Sequence, residues 1–281
     1  MSDLLVSPKW LHAHLDEVRV VDASWYLPAQ NRDAKAEYAA GHIPGAVYFD
    51  IDAIADRSTD LPHMLPDPDA FAAAAGALGL SEGDTIVVYD GMGLFSAPRV
   101  WWTLKVFGAR QVRILEGGLP AWKAAGYRLS SEAPQPTPKR FHPRFLQAAV
   151  ADLGRVRRSL NGSGEQIVDA RPAGRFRGEE PEPRPGLKSG HIPGSKCLPF
   201  DALFAEGEPQ RLVEAARIRA IFEAAGVDWD KPVVTSCGSG VTAAILSFAL
   251  VAAGKADTAL YDGSWTEWGG RDDTPVEQGP A

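Results

Sequence analysis

The chain reads as short apolar runs alternating with longer segments of helical spacing. In the N-terminal half, residues 18–23, 85–90 and 112–115 are nearly continuous runs of Val, Ile and Leu. Their length and β-branched content predict buried strands. Between them, the alanine-rich stretch 71–80 and the Trp-containing stretch 97–107 predict helices, stopped near Gly79 and at Gly108. A further helix is predicted over 119–125. Buried strands separated by helices predict an α/β fold, a parallel sheet with helices on both faces. The pattern lapses over 130–145, where Pro134, Pro136, Pro138 and Pro143 predict a stiff, extended connector.

After the connector the pattern starts again. Val20-Val21-Asp22-Ala23 is matched 147 residues later by Ile167-Val168-Asp169-Ala170. The word Gly41-His42-Ile43-Pro44-Gly45 recurs 149 residues later as Gly190-His191-Ile192-Pro193-Gly194. Gly117 and Trp122 return 146 residues later as Gly263 and Trp268. A period this long marks a duplicated domain rather than a solenoid repeat. The chain is therefore expected to hold two domains, 1–130 and 146–281, joined by 131–145.

One matched pair differs in chemistry. The apolar run 232–236 ends at Cys237, and Gly238-Ser239-Gly240 leads into an apolar helix predicted over 241–253. At the same place in the first half stands Asp90-Gly91-Met92-Gly93. An unpaired cysteine after a buried strand is ordinarily an inert core residue. Here the glycines allow a tight turn in which several N–H groups converge beside a helix N-terminus, and that setting favours the sulfur anion. Cys237 is thus the candidate nucleophile. A carboxylate cannot accept sulfur, so the first domain is expected to be catalytically silent at Asp90.

Composition narrows the possibilities. The 281 residues are 45% hydrophobic, enough for full cores, and carry a net charge of −7. That acidic balance argues against a nucleic-acid partner or an anionic-membrane partner. Cys197 and Cys237 are the two cysteines, with neither a CxxC pair nor zinc-ligand spacing, so no metal and no organic cofactor is expected. A reducing, cytoplasmic setting is the simpler expectation. The first eight residues lack the basic and apolar blocks of a signal peptide. The stretch 241–253 is shorter than the about 20 residues a membrane span requires.

Taken together, the repeated Gly-His-Ile-Pro-Gly words and the single cysteine loop resemble the tandem-domain, rhodanese-type sulfurtransferases. Further matching words are His63-Met64-Leu65-Pro66, Ser96-Ala97-Pro98-Arg99, Gly174-Arg175-Phe176-Arg177-Gly178, Glu180-Pro181-Glu182-Pro183-Arg184 and Tyr261-Asp262-Gly263-Ser264-Trp265. The resemblance covers nearly the whole chain and implies two rhodanese-like domains. It implies that Cys237 takes a sulfur atom from a donor as a persulfide and passes it to a thiol, such as a thioredoxin-like dithiol, or to cyanide. Within the family, Gly238 and Ser239 after the cysteine are nearer the 3-mercaptopyruvate branch than the thiosulfate branch, which usually carries Arg and Lys there. Thiosulfate remains the alternative donor. A sulfur carrier and a cysteine-dependent phosphatase are weaker alternatives, because the latter needs an arginine where Ala243 stands.

The resemblance also implies site roles. Arg175 and Arg184 are the expected clamp for the donor carboxylate, with Arg177 a near neighbour. Arginine suits that task because its fork matches a carboxylate. Gly238, Gly240, Val241 and Thr242 are expected to line the bound donor. Ser239, His63 and Asp52 are expected to form a relay in which Asp52 orients His63 and His63 polarises the Ser239 hydroxyl. His42 and His191 occur in both halves, so a structural role in bracing a turn is expected. Trp101, Trp102, Trp265 and Trp268 are expected in packing, and Cys197 as a small buried hydrophobe.

Overall fold

The computed structural model describes residues 4–162 and 164–280. The chain divides into two compact units. The first takes the residues up to Asp56, Leu65–Leu146 and Gly207–Arg211; the second takes Arg57–Met64, Gln147–Glu206 and the residues from Leu212 onward.

In the first unit, strands β1 (Leu5–Val6), β2 (Arg19–Asp22), β3 (Val47–Tyr48), β4 (Thr85–Tyr89) and β5 (Gln111–Leu115) form one sheet in the order β1-β5-β4-β2-β3. Every pairing in it is parallel. Helices α1 (Pro8–Ala13), α2 (Ala34–Ala40), α3 (Pro68–Ala77), α4 (Ala97–Val106) and α5 (Gly118–Ala124) connect these strands. β4 is buried along almost its whole length, as a strand covered on both faces must be. Val20, Val87, Tyr89, Leu115 and Trp122 make one core cluster.

The second unit repeats this plan. Strands β6 (Val150–Ala151), β7 (Gln166–Asp169) and β8 (Lys196–Cys197) are joined by α6 (Leu153–Leu160) and α7 (Ala173–Arg177). Then β9 (Phe204–Ala205) and β10 (Glu208–Leu212) make a separate two-stranded sheet. Next come α8 (Ala215–Ala224), β11 (Val233–Ser236), α9 (Ala243–Ala252), β12 (Thr258–Tyr261) and α10 (Ser264–Trp268). The five-stranded order β6-β12-β11-β7-β8 is the same topology, again all parallel. Ile167, Val234, Tyr261, Trp265 and Trp268 form the matching core.

The apolar runs thus correspond to strands within a residue or two, and the helices differ at their ends for local reasons. α3 begins at Pro68, before the expected 71, because the Asp67 carboxylate caps the N–H groups of Asp69 and Ala70 and Pro68 suits the first turn. α9 begins at Ala243, because Val241 and Thr242 still belong to the loop turn.

Residues 131–145 hold no helix or strand and are bonded along the first unit. The Lys139 N–H donates to the Gly76 carbonyl at 2.9 Å, and its ammonium meets Asp84 at 2.7 Å. Gly76 permits this approach, since a Cβ there would stand 2.4 Å from the Lys139 oxygen. Phe141 is buried edge-on against Phe71, which stacks on Phe107.

The repeated histidines brace their turns. His42 Nδ1 donates to the Tyr38 carbonyl and His191 Nδ1 to the Phe176 carbonyl, each at 2.8 Å. Their backbones bridge to Ser130 and Glu277.

Candidate active site

β4 and β11 are the middle strands of their five-stranded sheets, and each ends at its unit's distinctive loop. In parallel sheets the carboxyl ends of the strands are where ligand crevices form.

In the second unit, Cys237 follows β11 and is 2% exposed. The Gly240 N–H donates to Cys237 Sγ at 3.2 Å, and Gly240 takes a left-handed φ of +81° to make that turn. The loop is held from the opposite side by the start of α10. The Cys237 N–H donates to Ser264 Oγ at 3.3 Å, and the Trp265 N–H donates to the Cys237 carbonyl at 2.9 Å. Thr266 gives both its N–H, at 2.9 Å, and its hydroxyl, at 2.6 Å, to the Gly238 carbonyl. Val241 is buried, and Thr242 stands at the N-cap position of α9 without a side-chain cap bond.

The clamp arginines reach this loop. A Cβ at Gly238 would lie 3.3 Å from Arg175 Nη2 and 4.0 Å from Arg184 Nη1. Gly238 therefore leaves room for guanidinium groups against the loop. Arg175 comes from α7 and is held by Glu182, which accepts from its Nε at 3.2 Å and from its Nη2. The same Glu182 carboxylate accepts from Arg171 Nη1 at 2.7 Å. Arg171 is fully buried, paired with Asp169 at 2.7 Å and stacked 4.2 Å from the Trp265 ring. Arg177 turns elsewhere, to Glu179 at 2.8 Å on the surface.

Ser239 is buried in the loop, at 7% exposure. His63 belongs to the stretch Arg57–Met64, which groups with the second unit; it is buried and has a φ of +62°, uncommon for a residue with a side chain. Asp52 belongs to the first unit, where its carboxylate accepts from the Trp25 indole at 3.0 Å. Cys197 is half-buried rather than enclosed, and burial pushes its thiol up to about 11. Both cysteines are free thiols.

The first unit's loop is organised differently. The Asp90 carboxylate accepts five backbone N–H groups, from Met92 and Gly93 on Oδ1 and from Phe95, Ser96 and Ala97 on Oδ2, at 2.7–2.9 Å. Where Gly238 faces arginines, its counterpart Gly91 faces the Tyr26 hydroxyl, which would lie 2.1 Å from a Cβ there. Tyr26 is fixed by Glu37 and Arg32.

The family model for the rhodanese-like domain matches twice, over residues 7–125 and 152–271. The chain belongs to the rhodanese-like family. The 3-mercaptopyruvate sulfurtransferase of Escherichia coli K12 is 45% identical over 97% of this chain and 97% of its own. Thiosulfate/3-mercaptopyruvate sulfurtransferase 1, mitochondrial, of Arabidopsis thaliana is 44% identical over 98% of this chain and 78% of its own. The crystal structure of SseA from Escherichia coli, a 3-mercaptopyruvate sulfotransferase, superposes with a TM-score of 0.84 at 42% identity, covering 93% of this chain and 98% of SseA. The two matched segments take in four strands of each five-stranded sheet, with β1 and β6 lying just ahead of them, so the rhodanese-like family and the α/β fold agree.

Glu182, Arg171, Ser264 and Thr266 were not singled out in the sequence. The signal for Ser264 was present in the repeat, where Gly118 holds its place 146 residues earlier. Among the described residues, no group of His, Cys, Asp and Glu could hold a metal ion, and no helix is long and apolar enough to cross a membrane.

Proposed function

We propose that this protein is a sulfurtransferase that takes the sulfur of 3-mercaptopyruvate onto Cys237 and passes it to a thiol or to cyanide. The observation that carries the donor choice is the pair Arg175 and Arg184 against Gly238, in the loop that begins at Cys237. Two guanidinium groups suit a carboxylate. Glu182 offsets the charge of Arg175, which favours a monoanion over the dianion thiosulfate.

The Cys237 sulfur attacks the donor sulfur and forms an S–S bond. The donor C–S bond breaks, and its electron pair passes into the enolate of pyruvate, which takes a proton to leave as pyruvate. An acceptor thiolate then attacks the outer sulfur, leaving as a persulfide and restoring the Cys237 thiolate. The Gly240 N–H beside Sγ supports the charge on sulfur in both states. Arg175 and Arg184 hold the carboxylate; Gly238, Gly240, Val241 and Thr242 shape the loop around the donor. Ser239 polarises the enolate oxygen, with His63 behind it and Asp52 orienting His63; that relay rests on the family resemblance. The first unit, with Asp90 in the loop, takes no sulfur. Two free thiols fit a reducing cytoplasm, with thioredoxin-like dithiols as acceptors.

Pyruvate release tests this reading. Wild-type protein is expected to release pyruvate from 3-mercaptopyruvate with kcat/KM above that for thiosulfate. Cys237→Ala is expected to lose at least about a thousandfold, the scale of losing a covalent nucleophile. Equal rates in the two proteins remove the nucleophile assignment, and a preference for thiosulfate reverses the donor choice.

A further inference from the structure

Ser264 is one of the few non-glycine residues with a left-handed backbone, at φ +50°. The conformation disfavours any residue with a Cβ. Ser264 is also fully buried, and heads α10 directly behind Cys237. Its counterpart in the first unit is Gly118, at φ +53°. The two backbones follow the same course. The Leu119 N–H donates to the Asp90 carbonyl at 3.0 Å just as the Trp265 N–H donates to Cys237 at 2.9 Å. In the first unit a side chain at this position would collide, since a Cβ on Gly118 would stand 2.5 Å from the Asp90 carbonyl.

The framework therefore accommodates glycine, and the second unit instead holds a strained serine. Its hydroxyl donates to the Tyr261 carbonyl at 2.8 Å and so turns its lone pair to the Cys237 N–H at 3.3 Å. Backbone strain that persists at a site is held by its surroundings and is a pointer to function. We infer that Ser264 is a positioning residue for Cys237, its hydroxyl fixing the cysteine amide so that Sγ stays on the Gly240 N–H while it gains and loses a sulfur atom. This rests on Cys237 being the nucleophile proposed above. Thr266, with its two bonds to the Gly238 carbonyl, secures the next peptide in the same way.

The test separates positioning from structure by comparing Ser264→Gly with Ser264→Ala in the full chain. Ser264→Gly removes the hydroxyl and the strain together. It is expected to keep or raise Tm and leave KM for the donor unchanged. Its kcat is expected to fall between about three- and tenfold, the scale of one hydrogen bond. Ser264→Ala removes the hydroxyl and keeps the strain, so kcat is expected to fall equally while Tm falls as well. An unchanged kcat in Ser264→Gly overturns the inference, as does a Tm loss in Ser264→Gly equal to that in Ser264→Ala. Cys237→Ala assayed alongside distinguishes failure of the underlying reading: if it retains wild-type turnover, the nucleophile assignment fails whatever Ser264 does.

Discussion

The Asp90 and Cys237 loops stand at the same point of the same fold and do opposite things with it. In the first unit the loop's N–H groups converge on a carboxylate that the chain itself supplies. In the second the Gly240 N–H meets a thiol whose sulfur lies one bond beyond Cβ, where the carboxylate oxygens lie two bonds out. An S–S bond of about 2.05 Å would carry an outer sulfur to a comparable reach. The first loop thus shows the scaffold's inherent preference for negative charge, satisfied permanently. The second leaves that preference for the reaction. The mouths differ in the same sense: Tyr26 fills the first against Gly91, while Arg175 and Arg184 stand at the second against Gly238.

The largest effect on this comparison is expected from Asp90→Ala. It strips five buried or half-buried N–H groups of their acceptor. The expected loss is about 3–5 kcal/mol of stability, the range for breaking a buried charged network. Denaturant unfolding measures it, and a loss below about 1 kcal/mol would show that water replaces the carboxylate at little cost.

A smaller effect is expected from Glu182→Gln, which keeps the shape beside Arg175 and removes one negative charge. The ratio of kcat/KM for thiosulfate to that for 3-mercaptopyruvate is expected to rise about tenfold, in line with one charge acting over several ångströms in a partly wet site. A ratio that stays put while both values fall would mean that Glu182 only orients Arg175.

The smallest concerns Cys197. Its thiol is raised from 9.0 to about 11, chiefly by burial, so folding favours the protonated form. The stabilisation is present below the unfolded value near 9 and is lost as pH rises through about 11. Wild-type protein is expected to lose stability over that window more steeply than Cys197→Ala; parallel melting curves would discount the effect.

Much of this architecture was legible from patterns that the chain carries twice. The strands ending at Asp22 and Asp169 are short, but their words Val20-Val21-Asp22-Ala23 and Ile167-Val168-Asp169-Ala170 match, and a run that occurs twice supports its own reading. Asp90 could be set against Cys237 because both sit at one offset. By contrast, β1 and β6 are two residues long and give no periodic signal. α6 does carry a helical pattern, with Leu153, Val156 and Leu160 packed on the second core, and it was legible but missed. At the site, Arg175 and Arg184 came from the resemblance and the fold brings both to Gly238. Glu182 read as one acid among several in a proline-rich loop. Its importance depends on Arg171, eleven residues away in sequence, and on the buried ion pair that fixes Arg171. Ser264 shows in the sequence only through its match to Gly118 in the repeat, because serine by itself does not announce a left-handed turn.

The segment after Ser130 has a practical consequence for dissecting the chain. Its prolines invite a cut at the end of the first repeat. Yet Phe141 closes over Phe71, and the N–H groups of Lys139, Arg144 and Leu146 bond back to carbonyls of Gly76, Phe107 and Val106. A fragment ending at residue 130 would leave an aromatic face wet and a row of carbonyls without their donors. A fragment carried through Leu146 keeps that lining, lacking of the first unit only Gly207–Arg211, and that is the piece to express when the first half is to be studied alone.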